Sequence, residues 1–199
     1  IGIVVLTAAF AAGAARPALA QRTDAGFTLQ QVLGYPFPSR LIASPKGARV
    51  AWVFDERGVR NIYVADGPDW RARRVTDYTS DDGQELTGLT FSPDGATIVY
   101  VRGGDHDSNW NAAGNLPPDP ASSPVQPKVE IWSVAAAGGA PKLLAEGDEP
   151  VVSPRGDRVA YTRDRQIWVV PLDGSQPGKR LVFATGESES PAWSPDGSK

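Results

Sequence analysis

The pattern Ser-Pro-x-Gly occurs four times in this chain, starting at Ser44, Ser92, Ser153 and Ser194, with spacings of 48, 61 and 41 residues. Each residue has a mechanical role. Serine can hydrogen-bond its own backbone, proline presets φ at about −65°, and glycine accepts the left-handed conformation that returns the chain to a strand. A single such turn constrains little, but these four recur in matched surroundings. Six residues beyond the serine stands a β-branched residue (Val50, Ile98, Val159), and eight beyond stands an aromatic (Trp52, Tyr100, Tyr161). Positions two apart share one face of a strand, so each pair is expected to enter a core. An Ile-aromatic step then recurs at Ile62-Tyr63, Ile131-Trp132 and Ile167-Trp168, followed by a turn-rich stretch and a fourth short strand in RRVT, PKLLA and KRLVF.

Each unit therefore reads as four short strands joined by hairpin turns over roughly 40 residues. Such a unit, repeated, predicts an all-β chain folded as a partial β-propeller with WD-like four-stranded blades. A β-sandwich also uses short strands and Gly/Pro turns, but nothing in it would hold the aromatic at a constant distance from the turn. Trp52, Tyr100, Tyr161, Trp132 and Trp168 are accordingly expected in the core. The blades fall at about 41–79, 87–147 and 149–186, with the start of a fourth at 190–199, so that 41–199 is an incomplete propeller. Propellers close with about four to eight blades, and the chain is expected to be a fragment of such a ring.

The second unit carries an insertion. From the turn serine to the Ile-aromatic step takes 14 residues in the third unit, 18 in the first and 39 in the second. The excess is the stretch GGDHDSNWNAAGNLPPDPASSPVQP, residues 103–127, which holds five prolines and the only histidine. Loops longer than about 12–15 residues are commonly functional or disordered, and binding residues concentrate on loops carried by a rigid scaffold. Asp105, His106, Asp107, Asn109 and Trp110 are therefore the candidates for a substrate cavity. The competing readings are plain ones, with His106 bonded to a neighbouring aspartate and Trp110 pinning the loop to the blade edge. A metal site needs three or four ligands, and with one histidine and no cysteine neither a metal nor a cofactor is expected. Asp81, Asp82 and Glu85, in SDDGQEL, read as a turn with solvated acids.

Composition narrows the setting. A formal charge of −3 with no Lys/Arg tract argues against nucleic acid as a partner. The opening IGIVVLTAAFAAGAARPALA is an apolar run ending in Ala18-Leu19-Ala20, the form of a secretory signal over 1–20 cleaved before Gln21. Spanning a bilayer takes about 20 apolar residues, and Arg16 interrupts the run too early, so no stable membrane insertion is expected after cleavage. Removing Arg16 takes the formal charge from −3 to −4. The protein is expected to be exported, to the periplasm or beyond. Residues 21–40 read as a linker with a short helical arm, from Phe27, Leu29, Val32 and Leu33 at near-helical spacing ended by Gly34 and two prolines.

The stretches RNIYVAD, TDYTSDDGQELTGLTFSPDG, YVRGGDHDSNW and SESPAWSPDGSK resemble the N-terminal half of the prolyl oligopeptidase family of serine peptidases, of the dipeptidyl-peptidase and acylaminoacyl-peptidase type. The resemblance covers roughly 27–199. The turn motif alone is shared with many propellers, including TolB; the pairing of DDGQEL with the GGDHDSNW insert points to the peptidases. The resemblance implies a following α/β-hydrolase domain with a serine in a G-x-S-x-G elbow, then an aspartate and a histidine. It also implies a propeller that admits only short peptide substrates. No G-x-S-x-G occurs in the 199 residues, so no catalytic residue is placed in this chain. The alternative implied by the turns alone is a non-enzymatic periplasmic propeller of the TolB type, acting through protein–protein contact.

Overall fold

In a computed structural model, the structure describes residues 26–104, 128–183 and 185–199. After a one-turn helix α1 (Leu29–Leu33), the chain forms three four-stranded antiparallel sheets, each hydrogen-bonded in sequence order. The first holds β1 (Phe37–Ala43), β2 (Arg49–Glu56), β3 (Val59–Asp66) and β4 (Arg71–Arg74). The second holds β5 (Leu86–Phe91), β6 (Thr97–Arg102), β7 (Glu130–Ala135) and β8 (Lys142–Glu146). The third holds β9 (Asp148–Val152), β10 (Arg158–Arg163), β11 (Gln166–Pro171) and β12 (Lys179–Arg180). These are blades of a β-propeller, as the repeat predicts. β1 takes in residues 37–40, which the sequence alone assigns to the arm. Pro38 is tolerated there because β1 is an edge strand and needs no N–H on its free side. The arm itself is the helix, capped by Thr28, whose side chain accepts from the Gln31 N–H while the Gln31 side chain returns to the Thr28 backbone.

The register shows why the two aromatics of each unit recur together. Trp52 lies opposite Tyr63, Tyr100 opposite Trp132, and Tyr161 opposite Trp168. The second and third are cross-strand pairs on the face toward the preceding blade and the first lies on the matching face, with ring centroids 6.0 Å apart in the first blade and 6.5 Å in the third. The middle blade is buried on both sides. Ile98 and Tyr100 enter a cluster with Ala51, Val53, Ile62 and Val64 of the first blade. Val99, Val101 and Ile131 enter a second cluster with Val159, Tyr161 and Val170 of the third. Full burial of such side chains stabilises by about 1.5–3 kcal/mol each, and these two seams hold the arc together.

Tyr100 and Tyr161 are inaccessible, and Trp132 and Trp168 are partly buried against the two clusters, as expected. Trp52 departs from the expectation. It is only half-buried, stacked on Tyr63 and edge-on to Phe54 on the outer face of the first blade. Its counterparts are covered by the blade before them, and among the described residues no blade precedes the first.

The four turns are built alike. In the second, third and fourth, the serine N–H donates to the carbonyl five residues on (Thr97, Arg158, Lys199) and the glycine N–H returns to the serine carbonyl at 2.8 Å. Each of these serines also donates its hydroxyl to an aspartate of its own turn, Asp94, Asp157 or Asp196. These bonds hold the three carboxyls below their usual range, Asp196 to about 2. The first turn has Lys46 where two of the others have aspartate, and Ser44 Oγ donates to the Lys46 carbonyl instead.

Candidate functional site

One rim of the arc carries the Ser-Pro-x-Gly turns. The opposite rim carries the links between blades and the β2–β3, β6–β7 and β10–β11 connections, and the 103–127 insertion leaves the fold there. The link from the first blade to the second, residues 75–85, is locked from below. Asn61 is buried; its amide donates to the Tyr78 carbonyl, and its Oδ1 accepts from Thr76 Oγ1 and from the Tyr78 N–H. Thr76 Oγ1 in turn accepts from the Ile62 N–H at 2.8 Å. The Tyr78 and Tyr100 hydroxyls meet at 2.8 Å, and burial pushes both phenols up. Above them Arg102 lies 4.6 Å over the Tyr78 ring and pairs with Asp82.

The SDDGQEL segment is a turn with solvated acids, as the sequence suggests, with Asp81 and Asp82 exposed, and its carboxylates also take defined partners. Asp82 holds Arg102 and accepts the Gln84 N–H, Asp81 accepts the Gly83 N–H, and Gln84 is buried. This segment grips the root of the insertion. The Gly103 N–H donates to the Glu85 carbonyl at 3.1 Å. Gly103 has φ +104°, and a Cβ there would collide with the Lys128 carbonyl. The two ends of the insertion thus touch, and the loop leaves and rejoins the blade at one point. Asp105, His106, Asp107, Asn109 and Trp110, the residues proposed from sequence, lie outside the described residues, as does the signal-like segment 1–20.

Beside that root, between the innermost strands β1 and β5, is a small cavity of about 170 Å³ with apolar walls from Phe37, Val53 and Leu86. Its polar lining comes from Ser39, Arg40, Asp55, Arg60, Glu85 and Thr87. Arg60 is held by Asp55 at 3.2 Å and donates to the Gly58 carbonyl, while Asp55 accepts the Gly58 N–H at 2.6 Å. Charges of both signs, each with a partner, suit orientation of a polar ligand. They supply no nucleophile–base pair, and the chain's one histidine is not among the described residues. Among those residues no group of three or more His, Cys, Asp or Glu could hold a metal ion, and no helix is long and apolar enough to cross a membrane.

The innermost strands hold a feature that the sequence conceals. Four residues before each turn serine stands a residue in the left-handed region: Arg40 (φ 56°), Gly88 (57°), Glu149 (50°) and Ser190 (55°). The first three coincide with breaks in the strand register, between Ser39 and Ile42, between Thr87 and Thr90, and opposite the Ala160–Thr162 step. An L-residue there costs about 1–2 kcal/mol, yet three of the four are not glycine. The bulge turns the side chain out of the ladder toward the next blade. Glu149 accepts from Thr162 Oγ1 at 3.0 Å and from the Ser190 N–H at 3.4 Å. At Gly88 a Cβ would stand 3.4 Å from Pro150 of the next blade, where the inner strands converge. Only the offset from the turn could have revealed this series, because the residue types share nothing.

No family model matches the chain. Among solved structures it is similar to TolB from Acinetobacter baumannii (TM-score 0.54, 21% identity, covering 81% of this chain and 36% of that one). It is similar also to the tricorn protease (TM-score 0.55, 14% identity, 81% and 15%) and to a prolyl endopeptidase (TM-score 0.54, 13% identity, 83% and 25%). The chain is a propeller of the kind shared by TolB and by these peptidases, and it spans well under two thirds of each of the three.

Proposed function

We propose that this chain is the access-controlling propeller of an exported serine peptidase that hydrolyses short peptides. The observation that carries the reading is the insertion rim. A long loop in the second blade is clamped at a closed root by the SDDGQEL segment, next to the axial cavity lined by Arg40, Arg60 and Glu85. A rigid scaffold with a long insertion rooted beside an inter-blade cavity suits the selection of extended, flexible substrates. The propeller contributes this selection and contacts to the peptide; the bond-breaking serine, aspartate and histidine belong to a hydrolase domain outside these 199 residues. The resemblance of the quoted stretches to the prolyl oligopeptidase family supports this reading.

The second reading is a non-enzymatic periplasmic propeller acting through protein–protein contact, favoured by the likeness to TolB at 21% identity. The coding sequence read past Lys199 separates the two. The peptidase reading expects a G-x-S-x-G elbow followed by aspartate and histidine, and a product that a fluorophosphonate labels and that cleaves a chromogenic dipeptide. The 199-residue chain alone is expected to do neither. Turnover by this chain alone overturns the placement of the catalytic residues outside it, and a longer product that no fluorophosphonate labels overturns the peptidase reading. The export component predicts a mature N-terminus at Gln21, read by mass spectrometry of the protein recovered outside the cytoplasm.

A further inference from the structure

The apolar seam between the first two blades ends in charge. Along β2 the residues facing the second blade run Ala51, Val53 and Asp55, and the first two are buried in the shared cluster. Phe37 and Ser39 of β1 stand opposite Asp55 and Val53, and Arg60 of β3 stands opposite Asp55 from the other side. Glu85, Leu86 and Thr87 of the second blade complete the enclosure. The fold does not demand charge here. Asp55 lies eleven residues beyond its turn serine, and the residue at that offset in the second blade is Gly103. Beside Gly103, Val129 packs against the second apolar cluster.

The charged groups at the end of the seam are held in place. Asp55 accepts the Gly58 N–H on one oxygen and Arg60 on the other, and Arg60 also donates to the Gly58 carbonyl. Part of the Arg60 donor fork is thus used in fixing the side chain, and the rest can meet another acceptor. Arg40 stands at the left-handed bulge (φ 56°), which turns its side chain out of the β1 ladder. Two cations, Arg40 and Arg60, and two anions, Asp55 and Glu85, therefore border one space whose other walls, Phe37, Val53 and Leu86, are apolar. These four charges sum to zero. A ligand of one net charge would leave a charge uncompensated where water is partly excluded, whereas a ligand with one charge of each sign leaves none. The volume of about 170 Å³ limits its size, since pockets for drug-sized molecules run to about 300–1,000 Å³.

We propose that this inter-blade cavity binds a free amino acid with an aliphatic side chain. The carboxylate meets Arg40 and Arg60, whose planar guanidinium groups match carboxylate geometry. The ammonium group meets Glu85, and the side chain lies against Phe37, Val53 and Leu86. Arg40, Glu85 and Thr87 have interactions of their own, so the ligand joins an existing net of bonds. The inference goes beyond the peptidase reading and holds without it, because the bound molecule is not cleaved.

Isothermal titration calorimetry of the full chain with L-leucine tests it. N-acetyl-L-leucine, which keeps only the carboxylate, and L-leucinamide, which keeps only the ammonium, are the controls. L-leucine is expected to bind at one site per chain, and each control about tenfold more weakly or worse, since each lacks one charged contact. Arg40→Gln should weaken L-leucine by about ten- to a hundredfold and bind L-leucinamide no more weakly than before. Glu85→Gln should do the same to L-leucine and spare N-acetyl-L-leucine. Phe37→Ala, at an exposed side chain of an edge strand, should weaken L-leucine several-fold and leave glycine unchanged. The absence of saturable binding of L-leucine overturns the inference. So does a control that binds as tightly, which would make the cavity a site for a peptide terminus. Binding of L-leucine unaltered by both charge variants overturns it equally. Circular dichroism checks that the variants are folded, and the Phe37→Ala comparison carries the test if either charge variant is not. Fluorophosphonate labelling of the longer product reports on the peptidase reading separately, so the two can fail independently.

Discussion

The middle blade and the first blade are built from the same kind of strand, yet they end in different environments. In the middle blade, Ile98, Val99, Tyr100 and Val101 of β6 are all inaccessible, alternate residues facing alternate neighbours. In the first blade, Ala51 and Val53 of β2 are equally buried, but Trp52 and Phe54, which alternate with them, are only partly buried. IVYV and VAWVF are both unbroken apolar runs. The second face of such a strand is buried only if another blade stands against it, so the pattern prescribes a neighbour without supplying one.

The sharpest way to break this contrast is to truncate the matched aromatics. Tyr100→Ala empties a closed seam and is expected to cost about 3–5 kcal/mol, whereas Trp52→Ala is expected to cost under about 1 kcal/mol. Urea unfolding of both variants measures the difference. Equal costs would mean that the first blade's outer face is already covered. A smaller contrast separates two turn glycines. Gly95 (φ 72°) and Gly47 (φ 80°) share the strain that an alanine would meet, about 1 kcal/mol. Only at Gly95 does the new methyl also strike the preceding turn, at Ser44. Gly95→Ala should therefore lie about 1–2 kcal/mol below Gly47→Ala in unfolding free energy.

The smallest effect is in acid. The carboxyls of Asp94, Asp157 and Asp196 are lowered by the bonds from their turn serines. A carboxyl whose folded value is depressed stabilises the fold fully above its ordinary value of 3.8 and loses that contribution as pH falls through the folded value, about 2 for Asp196. Stability should decline between about pH 4 and 2, and Asp94→Asn should flatten part of that decline. The same test at Lys46→Ala should leave the slope unchanged, because the first turn holds no carboxyl against its serine.

Much of the architecture was legible in the chain because it follows from local rules repeated at a fixed offset. The turn serine, the β-branched residue six beyond it and the aromatic eight beyond it together imply strands, hairpins and blades. The root of the candidate site was legible only in part. SDDGQEL reads as a turn with solvated acids, and Asp81 and Asp82 are indeed exposed, but sequence cannot show that Arg102, twenty residues from Asp82, returns over Tyr78 to pair with its carboxylate. The left-handed positions at Arg40, Glu149 and Ser190 escaped for a different reason. Arginine, glutamate and serine carry no conformational signature, and only the convergence of inner strands near the axis imposes the bulge.

What the amino-acid order determined alone is the module: four strands, their pairing, and which side of each strand is apolar, since these depend on turn chemistry and a period of two. What the tertiary structure decided is which apolar faces are closed, which charges find partners and where the backbone is bent out of its ladder. Those outcomes depend on residues of neighbouring blades, 40 or more positions away in the case of Arg49 and Gly95, and no local pattern encodes a distance in space.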